Sequence, residues 1–171
     1  MKQSKWGPWS MSLVVVAAAV LVTGCAATRR QAYIQEKASQ YVYGKPLAEV
    51  WPQVRTLLQQ KDLPLREAPG TYEIATDWHQ VGAPSTLGTS FVRYLVRGRE
   101  AGPARSAVEV FRQNRTVSGP GAMDSRTGQA QEIGNDTTSM QRDHELEWEL
   151  LQRVDPEGAQ ALEAEALKAI P

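Results

Sequence analysis

Few side chains in this 171-residue chain carry reactive groups, and their spacing limits the chemistry open to them. Cys25 is the only cysteine, and the two histidines stand in Asp77-Trp78-His79 and Asp143-His144-Glu145. Either triplet could lend ligands to a zinc ion or supply a general base. A metal site, however, needs three or four converging ligands, and the HExxH spacing that places two histidines on one helix face is absent. Glu145, Glu147 and Glu149 alternate in sequence, which on a helix spreads them around the axis. Paired catalytic carboxylates must instead share one cleft. There is no Gly-x-Ser-x-Gly nucleophile elbow. Gly88 and Gly119-Pro120-Gly121 read as turn glycines and not as a phosphate loop. The expectation is therefore no metal, no cofactor and no enzymatic activity.

The aromatic residues offer binding in place of catalysis. Trp51, Trp78, Trp148, Tyr72, Tyr94 and Phe91 could line a groove for a peptide, a lipid or a glycan, or they could form the core of a small α/β domain. Trp51 and Tyr72 sit on the apolar stripes of their elements and are expected inside. Trp78 ends its strand and Trp148 lies off the stripe of its helix. These two are the candidates for a binding surface.

The elements that must position these residues follow from periodicity. Leu47, Val50, Trp51, Val54, Leu57 and Leu58 form one helical stripe after Lys45-Pro46. Pro46 suits a first turn, whereas Pro52 removes a hydrogen bond and predicts a bend in a helix that ends near Lys61-Asp62. Tyr41-Val42-Tyr43 predicts a short strand. Leu63 to Glu67 carries a proline and predicts an edge strand. Tyr72, Ile74, Thr76 and Trp78 alternate with Glu73, Ala75, Asp77 and His79, the period of a half-buried strand. His79 is thereby expected on a solvated face with Glu73 and Asp77. Gln80 to Gly88 reads as a loop, and Phe91–Arg97 and Ser106–Val117 as strands around an Ala101-Gly102-Pro103 turn. Arg93 and Arg97 imply that one face of the sheet is partly wet.

Residues 118–139 hold no periodicity and read as a mobile loop. Met140 to Val154 predicts a helix with Leu146, Leu150, Leu151 and Val154 inward. Asp155-Pro156 breaks it, and a last helix carries Ala159, Leu162, Ala166, Leu167 and Ile170 inward. Glu163 also falls on that stripe, so loose packing is expected. The predicted class is α+β: a helix on a three- to four-stranded antiparallel meander, helix-grip-like, with two C-terminal helices. It forms one domain over residues 41–171.

The N-terminus has a different character. Lys2 and Lys5 precede an apolar run from Leu13 to Val22, and small residues follow, the layout of a signal peptide. The apolar stretch is short of the ~20 residues that span a bilayer. Val22-Thr23-Gly24-Cys25 resembles the lipobox of bacterial lipoproteins. That resemblance implies cleavage between Gly24 and Cys25, and acylation of Cys25 on its sulfur and its new amino group. Residues 1–24 would then be a signal peptide and residues 25–40 a lipidated start and polar tether. Removing residues 1–24 takes away Lys2 and Lys5 and leaves 17 basic against 19 acidic residues. Such a balance gives no electrostatic case for nucleic acid and none for a polybasic grip on anionic lipid. With its one thiol acylated, the chain could form no internal disulfide, although an exported compartment would permit one.

A second resemblance runs from Val42 to Trp78. Val50-Trp51, Val54 and Leu58, followed by Gly70, Ile74, Thr76 and Trp78, are similar to the helix-then-strand pattern in the short domains of outer-membrane assembly lipoproteins of the BamC (NlpB) type. It implies a non-enzymatic envelope assembly module whose partners are the membrane and other envelope proteins. Ala26, where an aspartate would signal retention, resembles an outer-membrane address facing the periplasm by the enteric sorting rule. The competing expectation is a carrier or sensor holding a small apolar or lipid ligand between helix and sheet. That would require an internal cavity of ~300 Å³ or more.

Overall fold

A computed structural model describes residues 26–85, 88–117 and 137–171. Helix α1 covers residues 26–39 and is followed by α2 (Leu47–Gln60). The strands are β1 (Leu65–Glu67), β2 (Glu73–Thr76), β3 (His79–Ser85), β4 (Gly88–Gly102), β5 (Arg105–Val117) and β6 (Thr137–Arg142). Helices α3 (His144–Val154) and α4 (Pro156–Ala169) complete the order. The class is α+β, and the six-stranded antiparallel sheet is larger than the three or four strands expected. Cys25, Gly24 and the whole signal-like segment lie outside the described residues, as does most of the expected loop, residues 118–136.

Helix α2 is the element most fully written in the sequence. All six stripe residues, from Leu47 to Leu58, are buried. The helix runs unbroken through Pro52, with Pro46 as its N-cap. It lies so close to the sheet that a Cβ on Gly98 would stand 2.8 Å from a Leu47 methyl and 3.0 Å from the Trp51 ring. Gly98 is thus the notch in β4 that admits α2. Asp62, at φ 54°, ends the segment in a left-handed turn.

The sheet order is β1-β2-β4-β5-β6, and β3 lies on the same edge of β4 as β2. β2 pairs with the Leu95–Arg97 part of β4, and β3 with its Gly88–Val92 part. The segment Gln80–Ser85 reads as a loop because of its Gly and Pro content, yet it pairs. Without it, the first part of β4, paired with β5 on its other edge, would present an open edge of backbone donors and acceptors here. Gly82, at φ 74°, takes up the irregularity between Val81 and Ser85. The expected Tyr41–Tyr43 strand reduces to a single bridge between Tyr43 and Ser106.

Two further expectations change at the end of the sheet. Residues 137–139 belong to β6 and not to a loop, and Met140–Arg142 continue that strand instead of opening a helix. Helix α3 begins only after Asp143, whose carboxylate accepts a hydrogen bond from the Leu146 N–H at 2.9 Å. That cap fixes the start.

The expected tether is helical. Its polar composition hides the pattern because only Ile34 and Ala38 are buried in α1. Much of the rest of its hold is polar: Arg30 donates to the Ile170 carbonyl (2.7 Å) and the Tyr33 hydroxyl to Glu165 (2.5 Å). Just beyond the helix, the Tyr41 hydroxyl reaches Asp155 (2.6 Å). These contacts run in opposite order along the two helices, so α1 lies antiparallel to α4.

One core cluster joins α1, α2, α3 and α4 to the sheet. Its sheet members are Ile74, Val96, Val108 and Val110, all on the same face by register. Trp148 belongs to this cluster and is buried, which corrects its assignment as a binding residue. Helix α3 touches α2, α4 and β5, so a residue off its main stripe is covered too. Tyr72 departs the other way: it precedes β2, is 37 % exposed, and packs edge-on against Trp51 at 5.4 Å. Leu167, expected inward, is 58 % exposed.

Candidate functional site

The break between β2 and β3 positions the most distinctive surface. Along β4, partners in β2 obey one register (Ala75 with Leu95) and partners in β3 a register shifted by one residue (His79 with Val92). Asp77 and Trp78 therefore both oppose Arg93, the two-against-one geometry of a β-bulge. A one-residue shift also reverses which face each later side chain occupies. His79 accordingly moves to the inner face with Val92 and Tyr94, stacking on Tyr94 with ring centroids 6.3 Å apart. It does not share the solvated face of Glu73, as strict alternation had implied.

The same shift carries Trp78 from the face of Ile74 and Thr76 to the outer face, away from the helices, with the Arg93 guanidinium 4.7 Å above its ring. The row continues across the sheet. Arg93 Nε donates to Gln113 Oε1 at 2.5 Å, and Gln113 Nε2 reaches Met140 Sδ at 3.5 Å. Register places Gln80, Phe91, Arg115 and Thr138 in the row on one side, and Ala75, Leu95, Phe111 and Arg142 in the row on the other. Beyond them Glu73, Arg97 and Glu109 form a third flanking row. Apolar and aromatic groups thus occupy the centre, with arginines interleaved. A surface depression of about 170 Å³ lies at one side, walled by Arg66, Glu73 and Arg97 over Ala75 and Leu95.

Ion pairs hold several of these arginines in place, which stiffens the surface. Arg66 meets Asp77 at 2.5 Å, Arg97 meets Glu73 at 3.4 Å, and Arg99 meets Glu109 at 3.9 Å. These pairs are exposed and contribute little to stability. Arg66, Arg93, Arg97, Arg99, Arg115 and Arg142 outnumber the carboxylates Glu73, Asp77 and Glu109 on this face, so the outer face is basic. The segment from Asp143 to Lys168 is the reverse, with eight carboxylates and two cations. A chain of zero formal net charge is therefore electrically divided.

Glu147 is built into the fold. It is 2 % exposed; its Oε1 accepts from the Val110 N–H (2.9 Å) and from Arg142 Nε (2.8 Å). It takes the ladder position that β6 vacates when it ends at Arg142. Burial pushes its carboxyl above the usual range, against the opposing pull of the Val110 N–H and Arg142. His144 stands exposed with Nδ1 3.5 Å from Glu147 Oε2. Among the described residues, no three of His, Cys, Asp and Glu converge as a metal site would require. Glu145 and Glu149 lie apart from Glu147 on the helix, and Glu149 pairs with Lys61 at 2.9 Å.

Of the two aromatic candidates, the structure puts Trp78 on a surface and Trp148 in the core. The Arg93–Arg97 alternation was the sequence signal for an open face. Met140 carried none, because its place in the row depends on β6, whereas Phe111 and Gln113 lie on the predicted strand β5. Neither a family model nor a curated protein matches this chain.

Proposed function

We propose that this protein is held at a membrane of the bacterial envelope by acylation of Cys25 and works there as a non-enzymatic assembly or interaction module. Its outer sheet face receives a protein partner that presents acidic side chains around an apolar centre. The observation that carries this reading is the contrast between the two sheet faces. The inner face is filled by α2, where Val50, Trp51, Val54 and Leu58 meet Ile74, Val96 and Val110 at 2 % exposure or less. The outer face keeps Trp78, Phe91, Leu95 and Phe111 half-buried under no helix of the core cluster. A carrier would need its space between helix and sheet, where these side chains already meet. The lipobox resemblance and the resemblance to BamC-type lipoproteins support the envelope setting, and Ala26 supports an outer-membrane address.

The test uses the full chain in cells of a lipoprotein-processing bacterium. Cys25→Ser is expected to move the protein out of the membrane fraction; retention after a high-salt wash would overturn the anchor. A photo-crosslinking residue at Gln113 is expected to trap a partner, and the adduct should vanish with Arg93→Glu and Arg97→Glu while folding and membrane location persist. An adduct that survives both charge reversals, or that forms equally from exposed Gln53 on α2, would overturn the outer face as the docking surface.

A further inference from the structure

The polar stretch after Cys25 is not a free tether. Helix α1 begins, in the described residues, one position after Cys25 and is fixed to α4 by Arg30–Ile170, Tyr33–Glu165 and the burial of Ile34 and Ala38. A lipid on Cys25 would thus enter the bilayer beside one end of the α1/α4 pair. That end carries three cations, Arg29, Arg30 and Lys168, together with the half-buried Ile170 and Leu167, the most exposed large apolar side chain of the described residues. The first carboxylate along α1 is Glu36, about two turns further in. On α4 the Glu165 carboxylate accepts from the Tyr33 hydroxyl and keeps its charge, so this end sets three cations against that one nearby anion. The near-neutral charge of the chain conceals this local excess.

We propose that the α1/α4 end is a membrane-seating surface, with Arg29, Arg30 and Lys168 against anionic lipid headgroups and Leu167 at their boundary with the acyl chains. The inference rests on the lipid anchor proposed above. It makes the mount rigid: α1 is ~21 Å long at 1.5 Å per residue, and its far end holds Arg142 of the sheet through the Ser39 carbonyl at 2.9 Å. The domain is consequently held at a set height and orientation instead of ranging on a coil. Three cations near an anionic surface are each drawn to it. That attraction has only to orient a molecule already anchored by its acyl chains.

The experiment uses the full-length acylated protein in vesicles of phosphatidylethanolamine and phosphatidylglycerol carrying brominated acyl chains. A fluorophore is placed by Leu167→Cys or, as the control at the far end of α1, by Gln40→Cys. Flotation with the vesicles reports the anchor, and quenching by bromine reports the seating. The expected result is flotation of both, with quenching at position 167 several-fold stronger than at position 40. Arg29→Glu with Lys168→Glu should lower the quenching at 167 without loss of flotation, as should a flexible Gly-Ser insert between Cys25 and Ala26. Flotation with equal quenching at the two positions would overturn the seating surface and leave the anchor standing. Failure of the acylated chain to float would overturn the anchor itself, and the seating surface with it.

Discussion

The two faces of one sheet are built from the same strands and differ in nearly every physical respect. On the inner face, Ile74, Val96, Val108 and Val110 lie under α2 and α3 among residues exposed by a few per cent. On the outer face, Trp78, Arg93, Gln113 and Met140 touch one another in a row and end at solvent. The inner face is what a domain of this size must have, because burial of apolar area is its dominant source of stability. Folding does not require the outer row. A solvated antiparallel face needs only polar side chains, and this one spends two phenylalanines, a leucine and a tryptophan there. Residues that stability does not demand are the ones to test for function.

The sharpest way to break that comparison is at the two tryptophans, beginning with the inner one. Trp51 is 2 % exposed and packs against Gly98 and Tyr72. Trp51→Ala should destabilise the protein by about 3–5 kcal/mol in denaturant melts, as large aromatic truncations in packed cores do. A near-unchanged midpoint would mean that the inner face is not the structural one.

The next largest effect belongs to the seam where α3 takes over from β6. Glu147→Ala would leave the Val110 N–H without its acceptor and Arg142 without its closest carboxylate, at a cost of about 3 kcal/mol. The carboxylate is a mixed asset. Its folded value is raised by burial, so its own contribution to stability falls as pH rises through that value. Glu147→Gln keeps an acceptor, sheds the buried charge, and should cost distinctly less than the alanine. Equal losses for the two variants would show that charge, not hydrogen bonding, holds the seam.

What the sequence disclosed divides along the same lines. Helix α2 was legible to the residue because its stripe repeats over three turns and needs no partner to be seen. β5 and the edge character of β1 were legible for similar local reasons. α1 was not, since two buried residues make no period and its remaining hold comes from α4, more than a hundred positions away. β3 was hidden by Gly82 and Pro84, whose composition signals a loop while the length of β4 dictates pairing. The site shows the same limit. Trp78 stood out as the end of a strand, but its neighbours Arg93, Gln113 and Met140 are assembled by a bulge and a strand that periodicity does not reveal. Trp148 failed as a binding residue because a helical wheel assumes one covered face, and α3 has more than one.

The α1/α4 seam offers a milder test through pH. The Tyr41 hydroxyl donates to Asp155 at 2.6 Å, and Asp155 also caps α4 by accepting from the Gly158 N–H. Partial burial and the Asp155 carboxylate push the Tyr41 hydroxyl up to about 12, while the same hydrogen bond holds Asp155 below its usual range. A raised tyrosine stabilises the fold below its unfolded value of 10.0, and that contribution is lost as pH rises from there through about 12. The lowered aspartate acts oppositely, losing its contribution as pH falls below 3.8. Chemical denaturation compared at about pH 8 and about pH 11 should therefore show a smaller alkaline loss in Tyr41→Phe than in the parent. Some loss should persist, because burial raises Tyr43 as well. Identical alkaline losses would mean that Tyr41 does not hold α1 to α4.

The smallest expected change in stability is also the most informative about function. Trp78 is half-buried, outside the core cluster, and its ring meets the Arg93 guanidinium. An exposed cation–π contact is worth ~0.5–1 kcal/mol, so Trp78→Ala should lower the unfolding free energy from denaturant melts by about 1 kcal/mol. The backbone bulge that presents the ring is held by other groups: the Tyr94 N–H donates to Thr76 Oγ1 (2.9 Å) and the Asp77 N–H to the Pro64 carbonyl (3.2 Å). The surface should therefore survive without the indole while the partner adduct formed at Gln113 is lost. A loss of stability comparable with Trp51→Ala would mean instead that Trp78 belongs to a second core, and the contrast between the two faces would fall with it.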